Sequence, residues 1–176
     1  MTKSMDVTVR SALPSDAARI CEIINRCAES GVVLPRTIED IASSIDGFAV
    51  AESGGRVVGC AALVVVDTEL AEIRSVAVDP DARTRGIGRR MVHHLAAVAK
   101  QLGLSELFLL TRIPGFFESC GFSSVDPAIL ADRFLDDLMA LQGRTYNGKS
   151  VMVRSLISSP ISTRPAAAQA RHAAVA

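Results

Sequence analysis

The chain has 176 residues, 49% of them apolar and 4% aromatic, with no Trp. That length predicts one domain with a substantial aliphatic core. Nineteen Lys and Arg balance nineteen Asp and Glu, and a formal charge of zero argues against nucleic acid or an anionic membrane as partner.

In chain order, Val7 to Leu13 alternates apolar and polar residues and predicts a first strand. Pro14-Ser15-Asp16 supplies a cap, and Ile20, Cys21, Ile24 and Cys27 at helical spacing predict a helix to about Ser30, ended by Gly31. Thr37 can cap a short second helix carrying Ile38, Ile41 and Ile45. Phe48–Ala51 reads as a strand, Gly54-Gly55 as a hairpin turn, and Arg56–Val66 as the partner strand. Glu69–Val78 follows as another strand, stopped by Asp79-Pro80. A long helix is predicted from Ile87 to Leu102, with Met91, Leu95 and Val98 on one face and Gly103 at its end.

Leu107–Thr111 is a continuous apolar run and predicts a strand buried on both faces. A short helix over Pro114–Cys120, a return from Gly121-Phe122, a helix over Ile129–Leu141 and a last strand over Ser150–Leu156 complete the domain, 7–157. Residues 158–176 are rich in Ser, Pro, Thr and Ala without an apolar period and read as a flexible tail. Cys21, Cys27, Cys60 and Cys120 have neither metal-ligand nor secreted-framework spacing, so buried thiols in a reducing cytoplasm are expected and no metal is. No signal leader or membrane-length apolar run is apparent, and Met5 is a second candidate start.

The chemistry concentrates after Val78. Arg83-Thr84-Arg85-Gly86-Ile87-Gly88-Arg89 joins a strand to a helix, and such a turn offers backbone N–H groups at the positive end of the helix dipole. The site suits phosphate. The Lys-Ser/Thr ending of a nucleotide loop and the three-glycine dinucleotide spacing are both missing at this turn. Gly143 to Ser150 does match the nucleotide-loop expression letter for letter. A helix is predicted before it and a strand after it, the reverse of what phosphate binding needs, so it reads as a turn. His93 and His94 are adjacent on a helix, point about 100° apart and cannot share a metal.

Arg83-x-x-Gly86-x-Gly88 behind Val-x-Val-Asp-Pro resembles the acetyl-CoA pyrophosphate loop of the GNAT N-acetyltransferase superfamily. Phe48–Glu52, Val57–Leu63, Leu70–Val78, Leu107–Thr111 and Phe116–Phe122 resemble the acetyltransferase domain of N-acetylglutamate synthases. The similarity spans Val7 to Leu156 and is that of a short stand-alone form, without a kinase domain.

The resemblance implies an α/β (α+β) GNAT acyl-CoA N-acyltransferase fold, a mixed and mostly antiparallel sheet with helices on both faces. It implies acetyl-CoA as co-substrate, held at Val76, Ala77, Val78 and residues 83–89, with pantetheine pairing to the backbone near Val76 and Val78. The implied activity is direct acetyl transfer to an amino acid, L-glutamate or glutamine, as in cytoplasmic arginine biosynthesis. Leu34-Pro35-Arg36-Thr37 matches the synthase segment whose arginine holds the acceptor carboxylate, and Arg74 and Arg112 are further candidate substrate cations. Glu72 lies before the expected strand splay and is the candidate base, ahead of Glu69, with an ion-paired strand glutamate as the alternative.

Two departures matter. Phe117 stands where many GNAT enzymes carry a tyrosine general acid, and Cys120 where longer synthases often carry arginine. Cys120 as a nucleophile has no evident histidine partner. Rival readings are acetylation of another amino acid, a polyamine or a protein N-terminus, and an acyl-CoA sensor without turnover. Oligomeric state is left open, a homodimer included.

Overall fold

The computed structural model describes residues 6–128 and 148–157, with the side chains of 83–85 outside the description. The expected helix over Ile129–Leu141 and the tail 158–176 lie outside the described residues. Seven strands form one sheet: β1 (Val7–Ser11), β2 (Phe48–Ser53), β3 (Arg56–Val65), β4 (Leu70–Val78), β5 (Glu106–Thr111), β6 (Ser123–Val125) and β7 (Ser150–Ser155). Their order is β1-β2-β3-β4-β5-β7-β6. Every pairing is antiparallel except β4 with β5. The helices are α1 (Ala17–Ala28), α2 (Ile38–Ser43), α3 (Ile87–Gln101) and α4 (Pro114–Glu118).

The alternation of each strand sorts its residues between two cores. On one face, Ile87, Met91, Val92, Leu95 and Ala96 of α3 pack over Ala49, Ala61, Ala71 and Ile73, where small sheet residues let the helix approach closely. On the other face, Ile20, Ile23, Ile24 and Cys27 of α1 and Ile41 of α2 cover Val50, Cys60, Ala62 and Ala77. Each fully buried Ile or Leu contributes roughly 1.5–3 kcal/mol, so this aliphatic two-sided burial is what holds the helices on. Leu107, Phe108 and Leu109 of β5 are all buried, as a strand covered on both faces requires.

Boundaries differ from expectation where capping decides them. Pro14–Asp16 forms a 3-10 turn, and α1 begins behind it at Ala17. Thr37 caps α2 by accepting from the Asp40 amide at 3.1 Å, but α2 is only six residues long and Ile38 is exposed. Ile45 falls in a separate 3-10 turn, Ile45–Gly47. Of the glycine–lysine–serine match, 143–147 lie outside the described residues, and the strand β7 begins at Ser150 where a nucleotide loop would pass into a helix.

Two features open the sheet. The β4–β5 pairing covers Leu70↔Glu106, Ala71↔Leu107 and Glu72↔Phe108 and ends there, while β5 stays paired to β7 as far as Thr111. On the other side, the register between β3 and β4 slips between Cys60↔Ala77 and Ala62↔Arg74, giving β4 one extra residue. Ser75 sits in this bulge at φ 55°, the left-handed region that a side chain rarely adopts. A bulge bends and twists its strand, and here it turns β4 away from β5. The sheet parts as a V with Glu72 and Phe108 at its apex.

Candidate active site

The V encloses a cleft of about 540 Å³. Its walls are Ile73–Val78 of β4, Leu109–Thr111 of β5, Gly86–Arg89 at the start of α3, and Phe116 and Phe117 of α4. The peptide after Val78 sends its N–H to the Val58 carbonyl on β3 at 2.8 Å. A trans peptide then directs the Val78 carbonyl to the cleft side, where it accepts from the Cys27 thiol at 3.3 Å. Alternation gives Val76 the same orientation.

At the head of the cleft, Pro80–Arg85 forms a 3-10 turn and Gly86 takes φ 66°, the left-handed conformation that glycine adopts without strain. Gly88 serves a different need. A Cβ on it would meet the Phe116 ring at 3.0 Å and Val78 at 3.7 Å, so the α3 backbone approaches α4 closely here. The start of α3, Gly86–Arg89, thus lines the cleft.

Asp79 anchors this turn, a role that its reading as a strand stop missed. Its side chain is buried, accepts from the Asp81 amide at 3.2 Å and pairs with Arg19 and with Arg26, the latter at 2.8 Å. Burial opposes its ionisation. The Asp81 amide and the two guanidinium groups together outweigh that and hold the carboxyl below its ordinary range.

A second cleft of about 600 Å³ shares Val32, Val33, Arg74, Ser75, Leu110 and Thr111 with the first. It is also lined by Arg36, Arg112, Lys149 and Asp40. The structure therefore brings Arg36, Arg74 and Arg112 to one cavity, although they come from the α1–α2 loop, β4 and the end of β5. Lys149 joins them, and the only earlier mark on it was membership of the misleading glycine-lysine-serine turn.

Glu72 is fully buried at the V apex, beside Val64 and Phe108 in the ladder, and lines neither cleft. Alternation puts it on the face of β4 that carries Arg74 two residues on. Glu69 lies outside β4, in the connection before Leu70.

Phe117 presents a buried apolar ring to the first cleft, edge-on to Phe116 at 4.9 Å and to Phe122 at 6.1 Å. Cys120 is buried and lines neither cleft, and burial pushes its thiol upward, which disfavours the nucleophilic thiolate. The Arg154 guanidinium lies 3.5 Å from His93 Nδ1 and donates to the Cys120 carbonyl at 2.9 Å. Cys27 and Cys60 are buried thiols outside any disulfide, whereas Cys21 is half-exposed, contrary to expectation, because it faces the loop at Arg36.

Among the described residues no group of His, Cys, Asp and Glu could hold a metal, and no helix is long and apolar enough to cross a membrane.

Residues 17–122, from α1 through the return after α4, match the model of the acetyltransferase (GNAT) family. An uncharacterized N-acetyltransferase of Chlorobaculum tepidum is 35% identical over 151 residues, 86% of this chain and 97% of that protein. The amino-acid acetyltransferase of Mycobacterium tuberculosis is 35% identical over 133 residues, covering 74% and 76%. The N-acetylglutamate synthase of Neisseria gonorrhoeae, solved with coenzyme A and N-acetyl-glutamate, superposes with a TM-score of 0.76 at 30% identity. That match covers 88% of this chain but 36% of the synthase, and the chain spans 28% of the Salmonella arizonae amino-acid acetyltransferase. A sheet split at β4 and β5, a glycine turn feeding α3 and this family match agree: the chain belongs to the GNAT family of acetyltransferases.

Proposed function

We propose that the chain transfers an acetyl group from acetyl-CoA to the amine of a small amino acid, with L-glutamate the first candidate and glutamine the second. The observation that carries this reading is the convergence of Arg36, Arg74 and Arg112 on a cleft that shares a wall with the V. Three guanidinium groups with one carboxylate, Asp40, favour an acceptor bearing carboxylates and disfavour a polyamine. The named relatives that act on amino acids, and the synthase solved with N-acetyl-glutamate, support the same choice.

In this reading the pyrophosphate meets the N–H groups at Gly86–Arg89, with Arg83, Thr84 and Arg85 alongside. Pantetheine runs along β4 as an added strand at Val76–Val78, so the thioester reaches the V near Ser75. Arg36 and Arg112 grip the acceptor and hold its amine at the junction of the clefts, turning a bimolecular encounter into an oriented one. Attack of the neutral amine on the thioester carbon forms the amide and releases the thiolate. Glu72 is the candidate base, and its burial behind Arg74 requires the proton to travel through water.

One observation favours a second reading, an acyl-CoA sensor without turnover: the Phe117 ring supplies no proton for the departing thiolate. A turnover screen of the twenty amino acids, spermidine and an N-terminal peptide with acetyl-CoA separates these. Rapid acetylation of glutamate or glutamine is expected; tight acetyl-CoA binding with no turnover of any amine supports the sensor.

A further inference from the structure

We propose that Asn25 is a positioning residue for acceptor recognition: its side-chain amide grips Arg36 by both backbone groups and fixes where that guanidinium enters the second cleft. The inference rests on the reading of Arg36 as an acceptor-binding cation.

The Asn25 Oδ1 accepts from the Arg36 N–H at 3.0 Å, and Nδ2 donates to the Arg36 carbonyl at 3.0 Å. A primary amide offers the same donor–acceptor pair as a peptide, so one side chain holds Arg36 as a neighbouring strand would. The reciprocal pattern also fixes the amide's orientation, since a flipped Asn would set N–H against N–H. Cys21, one turn earlier on α1, donates to the same carbonyl at 3.3 Å.

The grip matters because of where Arg36 lies. It belongs to the irregular segment between the end of α1 at Ala28 and the start of α2 at Ile38, where no ladder defines its position. Immediately after it, Thr37 caps α2. Asn25 is carried by a stretch of α1 that is tied to the sheet and to the turn before α3. Ile24 and Cys27 are buried, Arg26 pairs with Asp79, and the Cys27 thiol donates to Val78. Three consecutive residues therefore tie one helix to the acceptor loop, the turn before α3 and the cleft edge of β4. The distance between the two halves of the site is set through α1. Asn25 lines neither cleft, which makes it a support rather than a contact.

The test compares Asn25→Leu, Asn25→Asp, Arg36→Ala and the Asn25→Leu/Arg36→Ala double variant. Acceptor KM is measured with the amino acid turned over fastest, together with acetyl-CoA Kd and hydrogen exchange at the Arg36 amide. Losing both bonds should raise acceptor KM about tenfold in Asn25→Leu, with kcat changed less and acetyl-CoA affinity within about twofold. Asn25→Asp keeps the acceptor for the Arg36 N–H and should lie between Leu and wild type. Exchange at Arg36 should quicken in Asn25→Leu, and the KM effect should vanish in the Arg36→Ala background. Unchanged exchange, an unchanged KM, or an Asn25→Leu effect that multiplies fully onto Arg36→Ala would each overturn the inference. If Arg36→Ala itself leaves KM unmoved, the acceptor reading fails and the KM consequence falls with it, while exchange still decides the grip.

Discussion

The Phe116 ring occupies the space that a side chain on Gly88 would need, with Cζ 3.0 Å from the position of a Cβ there. The second glycine of the turn is therefore a packing requirement between α3 and α4, in addition to the phosphate role proposed for it. Gly86 differs, since a Cβ on it meets nothing within 4 Å and only its φ of 66° selects glycine. Gly86→Ala should cost stability by about 1 kcal/mol through backbone strain. Gly88→Ala must move Phe116, a wall of the V, and should weaken acetyl-CoA more than Gly86→Ala does. Calorimetric titration checks the order. Aspartate at either position adds a negative charge to the cradle and should abolish binding.

A second prediction concerns Asp79. Asp79→Asn removes the charge that Arg19 and Arg26 share and should destabilise the fold by about 1–3 kcal/mol, discounted for the partial exposure of both arginines. The native carboxyl is held below the ordinary range, so wild type binds fewer protons folded than unfolded in that window. Its stabilisation is full above the unfolded carboxylate pKa of about 3.9 and disappears as pH falls through the lower folded value. Denaturation curves should therefore show wild type and Asp79→Asn converging in acid and separating toward pH 6. Parallel curves at all pH values would remove the Asp79 charge from the account.

Much of this was legible in the sequence because it depends on local rules. Alternation, the Thr37 cap and the glycine turn into α3 each leave a pattern a few residues long. The V was reached only through resemblance, because it depends on where two strands stop pairing. Ser75 at φ 55° gave no sign, since serine is unremarkable in a strand and a bulge is a property of the register with β3. Asn25, Asp79 and Lys149 act across 11 to 60 residues or from an unrelated element, and no short-range pattern reports that. Phe117 was readable as a departure, yet its edge-on packing with Phe116 and Phe122 was not.

Glu72 supplies the third prediction. If it takes the acceptor proton, Glu72→Gln should lower kcat by roughly 10²–10⁴ and leave acetyl-CoA affinity nearly unchanged. The acidic limb of the rate profile should be lost with it. Gln is isosteric, so the packing at the V apex against Phe108 is retained and a folding defect is not expected to mimic the result. A Gln variant with most of the wild-type rate assigns Glu72 to supporting Arg74 and leaves the proton to solvent.

The last prediction separates the three arginines of the proposed acceptor cleft. They reach it from different elements: Arg36 from the α1–α2 loop, Arg74 from β4 beside the V apex, and Arg112 from just beyond β5. Arg74 alone among them also lines the first cleft, so it borders both cavities. Truncation of Arg74 should therefore disturb kcat as well as KM. Arg36→Ala and Arg112→Ala should act chiefly on acceptor KM, by about 10–100-fold each, the range of a lost charge-assisted hydrogen-bond pair. Arg36→Lys should recover only part of the loss, because a single ammonium cannot orient a carboxylate through two parallel bonds. Comparing glutamate with glutamine in each variant tells which arginine meets the side-chain carboxylate. The arginine that discriminates between them in wild type should stop doing so when truncated. If all three variants lose glutamate and glutamine equally, the cations hold only the α-carboxylate and the second anionic group plays no part. If wild type prefers spermidine or a peptide N-terminus to every amino acid, the anionic-acceptor reading is wrong and only the general acetyltransferase assignment stands.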